Sequence, residues 1–166
     1  MNTILKGGLL IGLLCGAWAV IVVLAGWHTD PVLLNLFYVV ILIQIGVLVW
    51  GLRLAGREGK PYWAQVGRGT LMSVVAGLIL FVISYLLTTV LFPNYFEEIR
   101  QAGEQAMRAQ QMPEAEIAAR QEAYAANQTP FMQAIGGTIG TIVTGFIASL
   151  VIAIFTRKKA PAAPPA

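Results

Sequence analysis

The chain has 166 residues, of which 57% are hydrophobic and only 11% charged, with a formal net charge of +3; a soluble domain of ordinary make-up carries about 25% charged residues. This composition excludes a disordered chain, a collagen and a disulfide scaffold, and it leaves no room for a separate soluble catalytic domain of about 100 residues. What remains is a single integral membrane domain, because the polar residues are too few to cover a water-facing globule.

The first apolar segment runs from about Ile4 to Gly26. It is longer than the core of a cleaved signal, which is about 7–15 residues, and Leu14 stands before Cys15 where a lipoprotein cleavage site takes a small residue. A retained anchor is expected. Cys15 is the only cysteine, so it forms no intrachain disulfide and no cysteine-based metal site, and it reads as a small packing residue. The second segment, about Val32–Leu52, opens on Asp30-Pro31, a capping side chain followed by proline at the first helical position. Gly59-Lys60-Pro61 breaks the chain. A short interfacial lead-in around Tyr62, Trp63, Val66 and Arg68 is expected before the third segment, about Thr70–Phe92. The fourth, about Phe131–Phe155, opens on Thr129-Pro130 in the manner of the second. Each segment is about 21–25 residues, roughly 30–38 Å as a helix at 1.5 Å per residue. None carries a charge near its centre. Such a stretch in lipid must satisfy its own backbone and is therefore helical. The expected fold class is all-α: a four-helix membrane bundle, one domain over residues 1–159, with a disordered Pro/Ala tail over 160–166.

Between the third and fourth segments lies a long polar loop, Pro93 to Pro130. Tyr95, Phe96, Ile99, Ala102, Ala106 and Met107 recur at helical spacing, and so do Ile117, Ala118, Gln121, Tyr124 and Ala125. Met112-Pro113-Glu114 restarts the chain with proline and acids in a first turn. Glu104/Arg108 and Glu116/Arg120 are i,i+4 pairs in the favourable order. Two amphipathic helices, about 95–110 and 113–126, are expected to form a hairpin within about 94–128. The charges set its side. Lys6, Arg53, Arg57, Lys60, Arg68, Arg157, Lys158 and Lys159 fall at one end with the single acid Glu58, while the loop holds Arg100, Arg108 and Arg120 with six glutamates. The positive-inside rule then places both termini in the cytoplasm and the hairpin outside.

The sharpest small-scale pattern is glycine spacing. Gly8, Gly12 and Gly16 are four apart in the first span; Gly136 and Gly140 continue to Thr144 and Ala148 in the fourth, alongside Gly137, Thr141, Gly145 and Ser149. Small residues at this interval let helix backbones approach closely. Gly8, Gly12, Gly16, Gly136, Gly140 and Gly145 are thus candidates for a helix-packing face, either inside one chain's bundle or in an oligomer. Gln44, near the middle of the second span, is the candidate intramembrane polar contact. Its amide needs a partner, and the hydroxyls of spans three and four offer one. No ionisable residue lies at a membrane centre, which argues against ion-coupled transport. His28 and Asp30, His-x-Asp in a short turn, read as solvated, as do the six glutamates of the outer helices. Asn127-Gln128-Thr129 fits a glycosylation triplet but is followed by Pro130. No nucleophile constellation, zinc motif or phosphate-binding glycine loop is present.

Three stretches, GLILFVISYLLTTVLFPNYFEEI, MPEAEIAARQEAY and TPFMQAIGGTIGTIVTGFIASLVIAIFTRKK, resemble the bacterial membrane family catalogued as domain of unknown function 4199. Phe92-Pro93-Asn94-Tyr95-Phe96-Glu97-Glu98-Ile99 matches the family's helix ending in an aromatic, proline and acids. Met112-Pro113-Glu114-Ala115-Glu116-Ile117 matches its second helix, with Ala115 where an acid is common. The resemblance covers about 9–158, most clearly 70–158. It implies a four-span bacterial inner-membrane protein and carries no assigned activity or catalytic residue. The expectation is therefore a small multi-pass inner-membrane protein in the lipid bilayer that is not an enzyme, has no cofactor or metal and binds no nucleic acid. It would act through helix–helix association, as a homo-oligomer or as an accessory subunit of a membrane protein partner. The alternative is a small transporter or channel with a weakly polar path near Gln44.

Overall fold

The computed structural model describes residues 2–30, 32–125 and 128–156. Pro31, Asn127, the basic run 157–159 and the tail 160–166 lie outside the described residues. Among those described there are six α-helices: α1 (Thr3–Leu24), α2 (Val39–Arg57), α3 (Tyr62–Leu86), α4 (Tyr95–Ala109), α5 (Glu114–Ala125) and α6 (Pro130–Thr156). No strand occurs among them. Four helical stretches are long and apolar enough to cross a membrane: Thr3–Leu24, Asn35–Arg57, Tyr62–Leu91 and Pro130–Thr156.

The ends of these stretches have local causes. Asp30 Oδ1 accepts from the backbone N–H of Val32 at 2.8 Å and of Leu33 at 3.0 Å. It caps the chain as the sequence indicates, but a 3-10 turn over Leu33–Tyr38 intervenes before α2 begins. Thr129 Oγ1 accepts from Met132 N at 3.2 Å, with Pro130 as the first residue of α6. α2 stops on Gly59, whose φ of +73° is a conformation open to glycine. There the N–H groups of Gly59 and Lys60 close back on the carbonyls of Gly56 and Ala55 at 3.0 and 3.1 Å, a Schellman ending.

Two boundaries differ from the sequence reading. The second span runs on to Arg57 rather than ending near Leu52. The third starts at Tyr62 rather than near Thr70: the expected interfacial lead-in is continuous with the membrane helix. The reason is polar but internal. Gln65 has no exposed surface; it donates to the Lys60 carbonyl at 2.9 Å and accepts from the Thr156 hydroxyl at 2.5 Å. Tyr62 donates to the Leu150 carbonyl at 3.1 Å. A polar turn whose hydrogen bonds are met by α6 packs as well as an apolar one.

α3 is flanked by α1 and α6, and α2 completes the bundle across from it, touching both flanking helices. The core is built from Ile11, Cys15, Val47, Leu48, Met72 and Ala76. Where apolar helices meet in lipid, dispersion and close backbone approach hold them rather than any gain from leaving water. The α1–α3 seam follows this rule. Gly7 lies against Met72, Gly8 against Val75, Gly12 against Ile79 and Gly16 against Ile83, so each α3 side chain seats on one glycine of α1. The α3–α6 seam is reciprocal. The Ser73 hydroxyl bonds the Gly69 carbonyl of its own helix and sits on Gly145, while Ser149 bonds the Gly145 carbonyl and sits on Gly69. One turn further, Thr138 donates to the Gly77 carbonyl of α3 at 3.1 Å.

Candidate functional site

The four spanning stretches separate the charges into two ends. Lys6, Arg53, Arg57, Lys60 and Arg68 gather at the end where α2 finishes and α3 begins (the basic end). Asp30 and the helices α4 and α5 lie at the other (the hairpin end). At the hairpin end the bundle is not closed. A cavity of about 310 Å³ lies between the halves of α1, α2, α3 and α6 nearest α4, with Tyr95 of α4 at its rim; this volume is at the lower end of small-molecule sites. Its walls on α1, α3 and the turn that follows α3 are Cys15, Ala19, Val22, Val23, Leu80, Ile83, Ser84, Leu87 and Thr88, all buried or half-buried. On the other side Phe37, Tyr38, Gln133, Gly136, Gly137 and Gly140 line it and are exposed. The cavity therefore opens sideways between α2 and α6.

Three features of the chain keep it open. The 3-10 turn at residues 33–38 carries the start of the second span; it is tied to α1 by Trp18, whose indole N–H donates to the Leu36 carbonyl at 2.9 Å. At the end of α3 a π turn over Leu87–Leu91 adds a residue to the helical circuit and buries Leu87 and Thr88 along the wall. On α6, Gly136, Gly137 and Gly140 present no side chain, and a Cβ added at any of them would meet nothing within 4 Å.

Gln44 forms the floor. Its residue exposure is 4%. The amide nitrogen donates to the Ser73 hydroxyl at 3.2 Å and to the Thr141 carbonyl at 2.7 Å. A carbonyl can only accept, so the amide orientation is fixed and the oxygen points elsewhere. That oxygen receives no hydrogen bond from the described residues, and it belongs to a side chain that lines the cavity. The hydroxyls of Ser84 and Thr144 stand on the same walls. Cys15 donates to the Val40 carbonyl at 3.4 Å, and Thr141 to the Gly137 carbonyl at 2.8 Å. Below Gln44 the Ser73–Gly145 contact seals the bundle. Cys15, Tyr38 and Tyr95 are the only lining side chains that ionise, and burial pushes the Tyr95 phenol above its ordinary value. The site offers a mainly apolar box with the Gln44 amide oxygen at its base, the Ser84 and Thr144 hydroxyls on its walls and no counter-charge.

The sequence-predicted residues thus divide. Gly8, Gly12 and Gly16 are buried against α3, and Gly145 against Ser73 and Gln44, all inside one chain. Gly136 and Gly140 face the open cavity, with Gln44 at its floor. From sequence, Gly137 reads only as part of the small-residue pattern and Tyr95 only as a residue of the first outer helix; neither they nor Thr88 stand among the candidate site residues. The signal was present in part, since Gly136, Gly137, Gly140, Thr141 and Thr144 share one helix face.

His28 corrects the reading of a solvated turn. It is 6% exposed, its ring stacks on Tyr95 with centroids 5.2 Å apart, and Nε2 lies 2.8 Å from Glu98 Oε2. A carboxylate only accepts, so Nε2 carries the hydrogen; Nδ1 is buried without a partner among the described residues. This pair ties the α1–α2 turn to α4 above the cavity. Glu97, its neighbour, turns away to Arg100. Hydrogen bonds from Arg100 and Gln101 hold the Glu97 carboxyl below its ordinary value. A lowered carboxylate pKa supports α4 at neutral pH, and that support is lost as pH falls through the lowered value. Replacing His28 by Ala removes a stack and a hydrogen bond to the half-exposed Glu98 carboxylate, together about 1–2 kcal/mol. Amide exchange across residues 95–109 is expected to quicken by roughly tenfold, and less in Glu98→Gln, which keeps an acceptor. Unchanged exchange in His28→Ala would remove this latch from the description.

Among the described residues no group of three or more metal-ligating side chains is present. No curated protein and no solved structure matches the chain. The family model described as protein of unknown function (DUF4199) matches residues 6–158, and the chain, with its four apolar spans and Phe92-Pro93 junction, belongs to that family.

Proposed function

We propose that this is a non-enzymatic bacterial inner-membrane protein that holds a neutral amphipathic small molecule, lipid-like in body, in the cavity at its hairpin end. The observation that carries this reading is the Gln44 amide oxygen, free of any partner among the described residues at the base of an apolar cavity that opens toward lipid. The oxygen is open to the cavity rather than sealed in packed protein, so a ligand hydroxyl or amide N–H placed there can bond to it, a net gain of about 0.5–1.5 kcal/mol. The walls favour a neutral ligand, because a charge in this box would stay unpaired. The charge asymmetry supports cytoplasmic termini and an external hairpin, with the cavity in the outer leaflet. The seal beneath Gln44 favours holding over conduction. Organic extraction of the purified protein followed by mass analysis tests this: one neutral amphipath is expected at near-equal molar amount, and Gln44→Leu is expected to reduce it about tenfold, the worth of one buried hydrogen bond. Recovery of bulk phospholipid alone, in equal amount from both proteins, contradicts it.

A second reading, association, is favoured by the bare face of α6 at Gly136 and Gly140, onto which a helix of another copy or of a membrane partner fits. Gly8, Gly12, Gly16 and Gly145 are already spent inside one chain, so this face would carry it. A detergent-solubilised oligomer that Gly140→Leu reduces to monomers would favour this reading over the first.

A further inference from the structure

The basic end holds a second hollow, separate from the cavity above. It measures about 500 Å³ and lies between the last turns of α2 and α6. Arg53 and Arg57, one turn apart on α2, form its rim. Both are exposed, and neither has an ion pair or hydrogen bond among the described residues. The only acid that the sequence places at this end is Glu58, and it is already engaged by Arg68 at 2.7 Å. Deeper than the arginines the lining turns apolar. Val49 lies one turn inward of Arg53 on α2 and Ile152 one turn inward on α6, while Phe155, 82% exposed, stands at the rim near the Gly56–Thr156 contact. At Gly56 the α2 backbone approaches the Thr156 carbonyl and closes the hollow there.

Two arginines whose helix positions are about 6 Å apart along the axis can turn their guanidinium groups to the oxygens of one phosphate, which arginine holds by paired donors. A free phosphate would use only that rim. The apolar strip runs from it toward the bilayer centre, the direction an acyl chain takes. We propose that this groove binds an anionic phospholipid, with the phosphate between Arg53 and Arg57 and one chain along Val49, Ile152 and Phe155.

Native mass spectrometry of the full chain in a non-ionic detergent, titrated with phosphatidylglycerol, tests it. The unaltered protein is expected to retain a bound lipid that the R53Q/R57Q protein binds about tenfold or more weakly, each surface arginine being worth about 1 kcal/mol toward an anionic lipid. Phosphatidylcholine is expected to bind the unaltered protein about tenfold more weakly too. Val49→Trp blocks the strip while keeping both charges, and is expected to weaken binding by a similar factor. It gives a second route if the double variant misfolds. Lys6→Gln with Lys60→Gln is expected to leave binding unchanged. Equal binding of phosphatidylglycerol by R53Q/R57Q and Val49→Trp, equal binding of phosphatidylcholine, or displacement of the lipid by equimolar inorganic phosphate would overturn the proposal.

Discussion

Gly145→Leu is expected to cost the bundle roughly 3 kcal/mol or more, while Gly140→Leu, five residues away on the same helix, is expected to leave the fold intact. The difference lies in what each new side chain meets. A Cβ at Gly145 overlaps the Ser73 hydroxyl and stands 2.7 Å from Gln44 Nε2. Overpacking of this kind costs about 1–3 kcal/mol, and pushing Ser73 and Gln44 apart also breaks bonds whose buried groups then go unmet. At Gly140 nothing lies within 4 Å, and the added side chain enters the cavity. Thermal unfolding in one detergent, followed by loss of monodisperse protein, checks both. The expectation is a Tm lower by roughly 5–10 °C for Gly145→Leu and within about 2 °C for Gly140→Leu. The same Gly140→Leu protein is expected to lose the bound amphipath. An equal fall in Tm for the two variants would mean that α6 packs differently from this description.

Gly8→Leu is the second large effect, expected at about 2–3 kcal/mol. A Cβ there would lie 2.5 Å from Val75 Cβ and 2.8 Å from the Met72 carbonyl oxygen. Both neighbours are rigid: one is the branch point of a β-branched side chain, the other is backbone. Relief requires α1 and α3 to separate, and in lipid no gain from leaving water pulls them back together. Gly12→Leu meets Ile79 Cβ at 2.8 Å and is expected to act in the same direction. Gly46→Leu, with nothing within 4 Å, serves as a control expected near zero. If Gly8→Leu and Gly46→Leu unfold at the same temperature, the α1–α3 seam is not the close approach described here.

Much of this architecture is legible in the sequence, because lipid imposes a simple rule. A charge-free run of the right length has one way to satisfy its backbone, and four such runs stand out. The Asp30 and Thr129 caps are equally readable, since capping depends on residues two or three apart. Features that depend on distant partners are hidden. Tyr62 reads as interfacial until Leu150 is seen to accept its hydrogen bond, and Gln65, in the same turn, draws no notice until Thr156 is seen to share its hydrogen bonds. His28 reads as a solvated loop residue because its partner, Glu98, is seventy positions away. The glycines of α1 and α6 look alike in sequence, yet Gly12 is pressed against Ile79 and Gly140 borders open space. Spacing shows where backbones can approach; only packing shows which glycines are used. The cavity is legible only in part, through the shared small-residue face of α6 and through Gln44, whose need for a partner is plain while the direction of its oxygen is not.

If the space beneath the hairpin is kept open for a molecule, an experimental structure of the protein extracted with its native lipids will show it. An elongated density is expected to enter between α2 and α6 beside Gly136 and Gly140, ending in a polar atom within about 3.2 Å of Gln44 Oε1. Closure of α2 onto α6 over those glycines, with the Gln44 oxygen bonded to a group of the protein itself, would refute the proposed binding cavity.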